Sequence, residues 1–275
     1  MPFCEVDGLN IHYVDVGPPG VAAPDAGPAE AALVLVHAFP LHSAMWAPQL
    51  SCLSSRRRVV APDLPGFGGS DAPEELSRYT MGGYADTLAG LLDRLGLERV
   101  VAGGLSLGGY VCLAFLRQYP DRLAALVLAD TRAAADTPEV VQRRTDQQDQ
   151  VARRGTAAVI DALLAGLLCD RTKQDRPALV EQVRRLMDNP TAGYIGALEA
   201  MKHRVDATDE LASISVPTLV VVGEDDTLSP PEVARAMHDR ISGSTLAVLP
   251  RAAHLSNLEA PDEFNAAVEE LLDRL

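Results

Sequence analysis

Paired cysteines and an excess of cations are both missing from this chain, and each absence excludes a class of protein. Its four cysteines are scattered without a C-x-x-C pair, at Cys4, Cys52, Cys112 and Cys169. We therefore expect neither a disulfide nor a zinc site. Lys and Arg number 24 against 38 Asp and Glu, and the formal net charge is -14. A chain with this net negative charge repels phosphate groups. We therefore do not expect nucleic acid or an anionic membrane surface as a partner.

Long apolar runs are also absent. None reaches the roughly 18 residues that would span a bilayer. The opening residues, MPFCEVDGLN, have neither the basic start nor the apolar centre of a secretory signal. These features predict a cytoplasmic protein. Cys52 and Cys112 lie in apolar, helix-like stretches, which predicts reduced and packed thiols.

Hydrophobic residues make up 47% of the chain, and their pattern alternates between strand and helix. Short β-branched runs predict seven strands, at 9–16, 32–39, 57–64, 99–105, 123–130, 217–224 and 244–250. Helical patterns intervene at 46–54, 81–95, 108–119, 230–241 and 261–274. Most of the strand runs are continuously apolar, which is typical of strands buried on both faces of a parallel sheet. The order therefore predicts an α/β protein with one wound sheet.

The alternation of predicted strands and helices is interrupted at residues 132–211, where the pattern predicts three or four helices and no strand. We interpret this segment as a helical insertion over one edge of the sheet, in a core formed by residues 1–131 and 212–275. A stretch rich in Pro, Ala and Gly, residues 17–32, joins two predicted strands and is interpreted as a mobile hairpin loop without chemistry.

One serine stands between two pairs of glycines in the stretch GGLSLGGY, residues 103–110. An apolar run precedes it and a helical pattern follows, which predicts a sharp turn from strand to helix at Ser106. Side chains at Gly104 and Gly108 would collide with neighbouring backbone in such a turn. The turn exposes the hydroxyl, and the Leu107 amide at the start of the helix can donate to an anion formed there. The pattern indicates that Ser106 is a nucleophile. The alternative is a glycine-rich turn that only connects the strand to the helix.

A serine hydroxyl is a poor nucleophile until a histidine with an acidic partner takes its proton. His254 lies in the loop LPRAAHLSNLE between the last strand and the last helix, from which it can reach Ser106. Four other histidines lie in or beside regular elements and are interpreted as packed or solvated residues: His12, His42, His203 and His238.

Two loops offer the acidic partner. Asp226 in VVVGEDDTLSP follows one predicted strand, and Asp130 in LVLADT follows the strand before the insertion. Glu224 and Asp225 adjoin Asp226, but no paired-histidine spacing accompanies them, so a metal site is not expected.

Five segments in this order along the chain resemble the α/β-hydrolase superfamily. The segment LVHAFPLHSAMW is similar to its first oxyanion loop, PDLPGFGGSDAP to its turn after the fourth strand, and GGLSLGG to its nucleophile elbow. VVGEDDTLSPPE resembles its acid loop and AAHLSNLEAPDEFN its histidine loop. The resemblance implies an α/β-hydrolase fold, with a mostly parallel eight-stranded sheet flanked by helices and a helical cap inserted after strand six.

The resemblance also assigns roles within the site. It implies Asp226 as the acid, although some members use the position that resembles Asp130. The second oxyanion amide falls on Phe39, and Ala38 stands where most relatives carry glycine. His37 is expected to order that loop by hydrogen bonding. No cofactor and no metal are implied.

The insertion, together with AAHLSNLE, is similar to the 3-oxoadipate enol-lactonase branch and its neighbouring esterases. The expected function is hydrolysis of a small carboxylic ester or lactone through an acyl-enzyme. A carbon-carbon hydrolase or perhydrolase with the same triad, and a receptor-like binding protein of this fold, are the alternatives. The oligomeric state is left open.

Arg132 follows the strand that ends near Asp130, so it should emerge at the sheet edge where Ser106 is exposed. Its guanidinium is suited to a bidentate contact with a substrate carboxylate. The alternative is an ion pair between Arg132 and Asp136 or a nearby acid.

Overall fold

An eight-stranded sheet lies at the centre of the chain, in a computed structural model that describes residues 2–18 and 31–275. Its strands are β1 (Phe3–Val6), β2 (Leu9–Val16), β3 (Ala32–Val36), β4 (Val59–Pro62), β5 (Val100–Leu105), β6 (Leu123–Ala129), β7 (Thr218–Gly223) and β8 (Thr245–Leu249). They are ordered β1-β2-β4-β3-β5-β6-β7-β8, and only β2 runs antiparallel to its neighbours. The predicted fold class is confirmed.

Eleven helices accompany the sheet in the described residues. They are α1 (Ala47–Leu53), α2 (Met81–Arg94), α3 (Leu107–Gln118), α4 (Pro138–Arg154), α5 (Ala157–Leu167), α6 (Asp170–Asp175), α7 (Pro177–Leu186), α8 (Thr191–Lys202), α9 (Pro231–His238), α10 (Ser256–Glu259) and α11 (Pro261–Leu272). The seven predicted strands and five predicted core helices are all present, with ends that differ by a few residues.

The apolar runs are continuous because both faces of the sheet are covered. In β3, Val34 and Val36 belong to the apolar cluster that includes residues of α2, α3 and α9, while Leu33 and Leu35 belong to the cluster of the other face, which includes residues of α1 and α11. Successive side chains of a strand point to opposite faces, so a strand covered on both sides has no polar alternation. Two apolar layers therefore enclose the parallel strands, whose carboxyl ends lie at the same edge of the sheet.

Strand β1 was not predicted because it lacks the apolar run that marks the others. Only Val6 of its four residues is buried, and Phe3 is exposed. This segment forms a strand because it pairs with β2, and its own sequence pattern does not indicate one.

Five helices, α4 to α8, lie between β6 and β7, where three or four were predicted. The short α6 accounts for the difference, because six residues do not establish a helical period. The side chain of Asn189 joins this segment to the rest of the fold, accepting from the Gly68 amide at 2.7 Å and donating to the Pro40 carbonyl at 2.9 Å.

Three further predictions concern cysteines, one loop and membranes. The four cysteines are free thiols, and Cys112 is buried as predicted, whereas the prediction for Cys52 is wrong because that residue is exposed. Most of the predicted loop at 17–32 lies outside the described residues. Among the residues described, no helix combines the length and the apolar character that crossing a bilayer requires.

Candidate active site

Ser106 sits between β5 and α3 in a backbone conformation that few residues adopt. Its φ of 55° and ψ of -110° turn the chain sharply from strand to helix. The Ser106 amide donates to the Ala129 carbonyl of the neighbouring strand at 2.9 Å, which anchors the turn to β6. The hydroxyl is thereby raised above the carboxyl end of the sheet, where loops from other strands can reach it.

The flanking glycines are required because backbone occupies the space of a side chain. A Cβ on Gly104 would lie 2.2 Å from the Gly108 carbonyl group, and a Cβ on Gly108 would lie 2.1 Å from the Val36 oxygen. Real Cβ atoms essentially never come within 3.0 Å of such atoms. The glycines therefore let β3, β5 and α3 approach closely enough to form the turn.

His254 follows β8 and lies with its imidazole beside Ser106. Its Nε2 is 2.8 Å from the Ser106 Oγ, and its Nδ1 is 2.8 Å from Oδ2 of Asp226. The His254 side chain is 4% exposed. In this geometry the Ser106 hydroxyl donates to Nε2 and the Nδ1–H donates to Asp226, a tautomer inferred from the partners. The three residues thus form one continuous chain of hydrogen bonds.

Asp226 is held in the loop after β7 by backbone donors. Its Oδ1 accepts from the amides of Leu228 at 2.8 Å and Ser229 at 3.0 Å, leaving Oδ2 for His254. Burial by itself would raise the pKa of this carboxyl. The adjacent His254 and the two amides outweigh burial and hold its pKa below the usual value. The carboxylate is therefore ionised and rigidly oriented.

Asp130, the other candidate acid, is directed elsewhere. It has a φ of 45° and is fully buried, with Oδ1 accepting from the Gly223 amide at 2.8 Å and Oδ2 hydrogen-bonded to the Ser256 hydroxyl. Burial, and then the neighbouring charge of Asp226, raise the pKa of Asp130 well above its usual value. The buried Asp130 carboxyl ties the end of β7, which leads to Asp226, to α10, which follows the histidine loop.

Sequence reasoning missed two residues that connect these loops. The Thr131 hydroxyl donates to the Ser106 carbonyl at 2.9 Å, and Ser256 contacts Asp130. The sequence does not mark Thr131 or Ser256 beyond their closeness to Asp130 and His254. A hydroxyl side chain connects two loops only through tertiary contacts, which the sequence pattern does not show.

The two predicted oxyanion amides lie at the start of α3 and in the turn that follows β3. Within the part of the chain that the structure describes, neither the Leu107 amide nor the Phe39 amide has a hydrogen-bond acceptor. Ala38 has no positive φ, so its backbone does not require a glycine. Buried His37 accepts from the Leu64 amide at 2.9 Å and hydrogen-bonds the Ala38 carbonyl at 3.0 Å, as expected of a residue that orders the loop.

A cavity of about 270 Å³ opens above Ser106 and His254. Its apolar wall includes Phe39, Tyr110, Val140, Leu163, Leu167, Met201 and Leu228. Arg132 lines it as well, and its Nη2 donates to the Leu228 carbonyl. The alternative pairing of Arg132 with Asp136 is wrong, because Asp136 instead pairs with Arg144 and Arg204. In residues 2–18 and 31–275, no group of three or more His, Cys, Asp or Glu side chains is arranged to hold a metal ion.

The geometry agrees with the comparison of this chain with known families. The sequence pattern of the α/β-hydrolase fold matches residues 31–261, most of the chain. The chain belongs to the α/β-hydrolase family. The resemblance stated from the sequence motifs is therefore confirmed at the level of family and fold.

Individual members of the family are similar over almost the whole chain. A malate-bound thermophilic esterase from Thermogutta terrifontis shares 38% identity, with a TM-score of 0.90 over 99% of this chain and 96% of its own. The enol-lactonase from Burkholderia xenovorans LB400 shares 29% identity, with a TM-score of 0.89 over 99% of this chain and 100% of its own. The curated 3-oxoadipate enol-lactonase 1 of Acinetobacter baylyi is 29% identical over 240 residues, 86% of this chain and 87% of the relative.

Proposed function

We propose that this α/β-hydrolase cleaves a small carboxylic ester or lactone through an acyl-enzyme on Ser106. The observation that carries the proposal is the unbroken set of hydrogen bonds from Asp226 through His254 to Ser106, each 2.8 Å long. The esterase and enol-lactonase names of the similar proteins support the same substrate class.

Acylation begins when the Ser106 Oγ attacks the substrate carbonyl and gives its proton to Nε2 of His254. The ionised Asp226 stabilises the imidazolium that forms and holds the ring in place. The carbonyl oxygen becomes an oxyanion, which the amides of Leu107 and Phe39 bind by hydrogen bonds that cost no reorganisation. His254 then returns the proton to the departing alkoxide oxygen, and the acyl group stays on Ser106.

Deacylation repeats these steps with water as the nucleophile. His254 takes a proton from water, the hydroxide attacks the acyl carbonyl, and the same two amides hold the second oxyanion. The carboxylic acid leaves, and Ser106 regains its proton. For a lactone, the acyl and alcohol products are one molecule. Ser106 and His254 carry every proton transfer between substrate and water, and the proposed reaction needs no cofactor or metal.

We also infer that residues 132–211 act as a cap over the core formed by 1–131 and 212–275. Support comes from the walls of the cavity, since Ser106 and His254 lie in the core while Val140, Leu163 and Met201 come from α4, α5 and α8. A cap so placed governs which substrate reaches the nucleophile.

The decisive experiment replaces the proposed nucleophile. Ser106→Ala is expected to fold normally but to lower kcat for p-nitrophenyl acetate by about 10⁴-fold or more, because the covalent route is lost. Ser77→Ala, which removes the same atom from an exposed turn, is the control.

A fluorophosphonate probe should label wild-type protein at Ser106 and leave Ser106→Ala unlabelled. Full activity in that variant, or labelling at another residue, contradicts the proposal. A binding protein with this fold would show no turnover in wild type.

A further inference from the structure

The loop that carries His254 contacts the helical insertion as well as the core. The Leu255 amide donates to the Leu167 carbonyl at the end of α5, at 3.1 Å. The Cys169 thiol lies 3.6 Å from the Arg251 carbonyl oxygen. The residues before and after His254 are therefore in contact with the same short segment of the insertion.

Glu259, the last residue of α10, connects these two parts of the chain through its side chain. Its Oε1 accepts from the Cys169 amide at 2.9 Å, and its Oε2 accepts from the Ala253 amide at 2.7 Å. Cys169 belongs to the insertion, whereas Ala253 immediately precedes His254 in the sequence. One carboxyl group thus bridges the insertion and the backbone of the proposed catalytic base.

The place of this carboxyl group is explained by its contacts with the two amides. Glu259 is 8% exposed, and a carboxyl group is costly to bury unless hydrogen bonds satisfy its oxygens. Arg176 donates to the backbone carbonyl of Glu259 at 2.8 Å, and in residues 2–18 and 31–275 no Lys or Arg pairs with the carboxyl group. An apolar side chain would fill the same space without this cost, so the carboxyl group serves the bridge.

The segment that Glu259 contacts also belongs to the wall of the cavity above the nucleophile. Leu163 and Leu167 of α5 line that cavity, and α5 ends two residues before Cys169. The side chain of Glu259 itself does not line the cavity. It is therefore placed to fix the position of His254 relative to the cavity wall without touching a substrate.

We propose that Glu259 is a positioning residue, which holds the backbone beside His254 against the insertion so that the imidazole stays in reach of Ser106. The inference rests on the proposed hydrolysis and concerns how its base is kept in place. The core holds the same loop through the Asp225 amide, which donates to the Ala252 carbonyl at 2.8 Å. Loss of the Glu259 bridge leaves the loop held mainly from the core, and the 2.8 Å contact between His254 Nε2 and the Ser106 hydroxyl is then formed less often.

The variant Glu259→Gln removes one acceptor and keeps the size of the side chain. Glutamine has a single accepting oxygen, and its NH₂ group would face the N–H of either Cys169 or Ala253. For p-nitrophenyl acetate at neutral pH, kcat per folded molecule should fall by about tenfold to a hundredfold, because a catalytic group displaced by about 1 Å can cost that much. KM should change by less than about twofold, since no substrate contact is lost. Circular dichroism gives the folded fraction.

The variant Glu259→Asp separates position from charge. It keeps the carboxyl group, but the side chain is one CH₂ shorter and reaches at most one of the two amides, so kcat should fall to a similar extent. If one of the two Glu259 variants does not fold, the other decides.

Two control variants should keep kcat within about twofold of wild type. Glu263→Gln makes the same chemical change at an exposed position in the first turn of α11. Arg176→Gln weakens the contact between the insertion and α10, because its donors to the Leu258 and Glu259 carbonyls are lost, but it leaves the bridge to Ala253 intact.

A second measurement does not depend on turnover. The proton shared by His254 Nδ1 and Asp226 Oδ2, which are 2.8 Å apart, is shielded from water and should give a proton NMR signal far downfield of the backbone amides. This signal should shift or broaden in Glu259→Gln and stay unchanged in Glu263→Gln and Arg176→Gln. A residue that only stabilised the fold would lower the denaturation midpoint without moving the signal.

The proposal is overturned if folded Glu259→Gln keeps wild-type kcat or an unchanged downfield signal. An equal fall of kcat in Arg176→Gln also overturns it, because the cause would then be general loosening of the insertion, and wild-type kcat in Glu259→Asp would assign the effect to charge alone. These outcomes leave the proposed hydrolysis intact as long as Ser106→Ala loses activity. If wild type does not hydrolyse p-nitrophenyl acetate, the proposed function fails, and the downfield signal by itself tests whether Glu259 positions His254.

Discussion

Replacing Asp226 with asparagine tests which carboxyl orients His254. In the structure, Oδ1 of Asp226 accepts from the amides of Leu228 and Ser229 while Oδ2 accepts from His254 Nδ1. An asparagine keeps its carbonyl oxygen on the two amides, because its NH₂ group cannot accept a hydrogen bond, and so turns the NH₂ toward Nδ1. The imidazole must then protonate Nε2 to accept at Nδ1, and in that tautomer it cannot take the Ser106 proton.

The expected loss of kcat is large because the His254 imidazole has the unproductive tautomer in every molecule of the variant. A catalytic aspartate exchanged for asparagine in a serine triad lowers kcat by about 10⁴-fold, or about 5.5 kcal/mol of transition-state stabilisation. Asp130→Asn should differ sharply. Asparagine can keep both contacts of Asp130, since its oxygen can accept from Gly223 and its NH₂ can donate to Ser256. A loss within about tenfold is expected from this small change in hydrogen bonding.

The assay is steady-state hydrolysis of p-nitrophenyl acetate at neutral pH, with circular dichroism to show that each variant is folded. Asp225→Asn, the same charge change in the exposed neighbour of Asp226, is the control and should retain wild-type kcat. The reasoning is refuted if Asp130→Asn loses as much activity as Asp226→Asn. It is refuted equally if Asp226→Asn retains more than about a tenth of wild-type kcat.

Two further predictions concern stability. Gly108→Ala should lower the free energy of unfolding by about 3 kcal/mol or more, because its Cβ would lie 2.1 Å from the Val36 oxygen. In the control variant Gly82→Ala, the new Cβ meets only the flexible end of a side chain at 3.0 Å, so the stability should be nearly unchanged. Similar denaturation midpoints for the two variants would contradict this prediction. Burial lowers the pKa of His37 to about 4, below the roughly 6.5 of an unfolded chain, so the unfolded state binds the proton first as pH falls. The free energy of unfolding should therefore decrease by about 3 kcal/mol between pH 6.5 and 4, and urea titrations of His37→Gln should show a shallower dependence; an equal dependence would locate the effect elsewhere.

The turn at Ser106 could be predicted from local sequence because its constraint is local. A strained strand-to-helix turn has no room for side chains beside it, and the glycines at 104 and 108 meet this requirement and are visible in the sequence. The continuous apolar runs likewise predicted strands covered on both faces, since a buried face leaves no position for polar alternation. The position of His254 in a loop after the last strand followed from the order of the elements.

Contacts between distant segments were beyond such reasoning. Cys52 lies on a helix whose apolar pattern suggested burial, yet the residue faces outward. Arg132 and Asp136 are four residues apart and were plausible partners, but Asp136 is taken by Arg144 and by Arg204, which is remote in sequence. Pairing among several charges depends on where each element packs, and the sequence pattern carries no information on that.

The sequence by itself determined the family, the sheet and the turn that carries Ser106, because local sterics and the burial of apolar runs act within short stretches of chain. Only the tertiary structure decided which aspartate contacts His254. Asp130 and Asp226 both follow parallel strands at the same sheet edge, and their sequences do not show where each carboxyl points. Backbone amides from Leu228 and Ser229 direct Asp226 toward the histidine, while Gly223 and Ser256 direct Asp130 away from it. Side-chain direction is set by donors that the fold brings together, and these are separated by up to 126 residues along the chain.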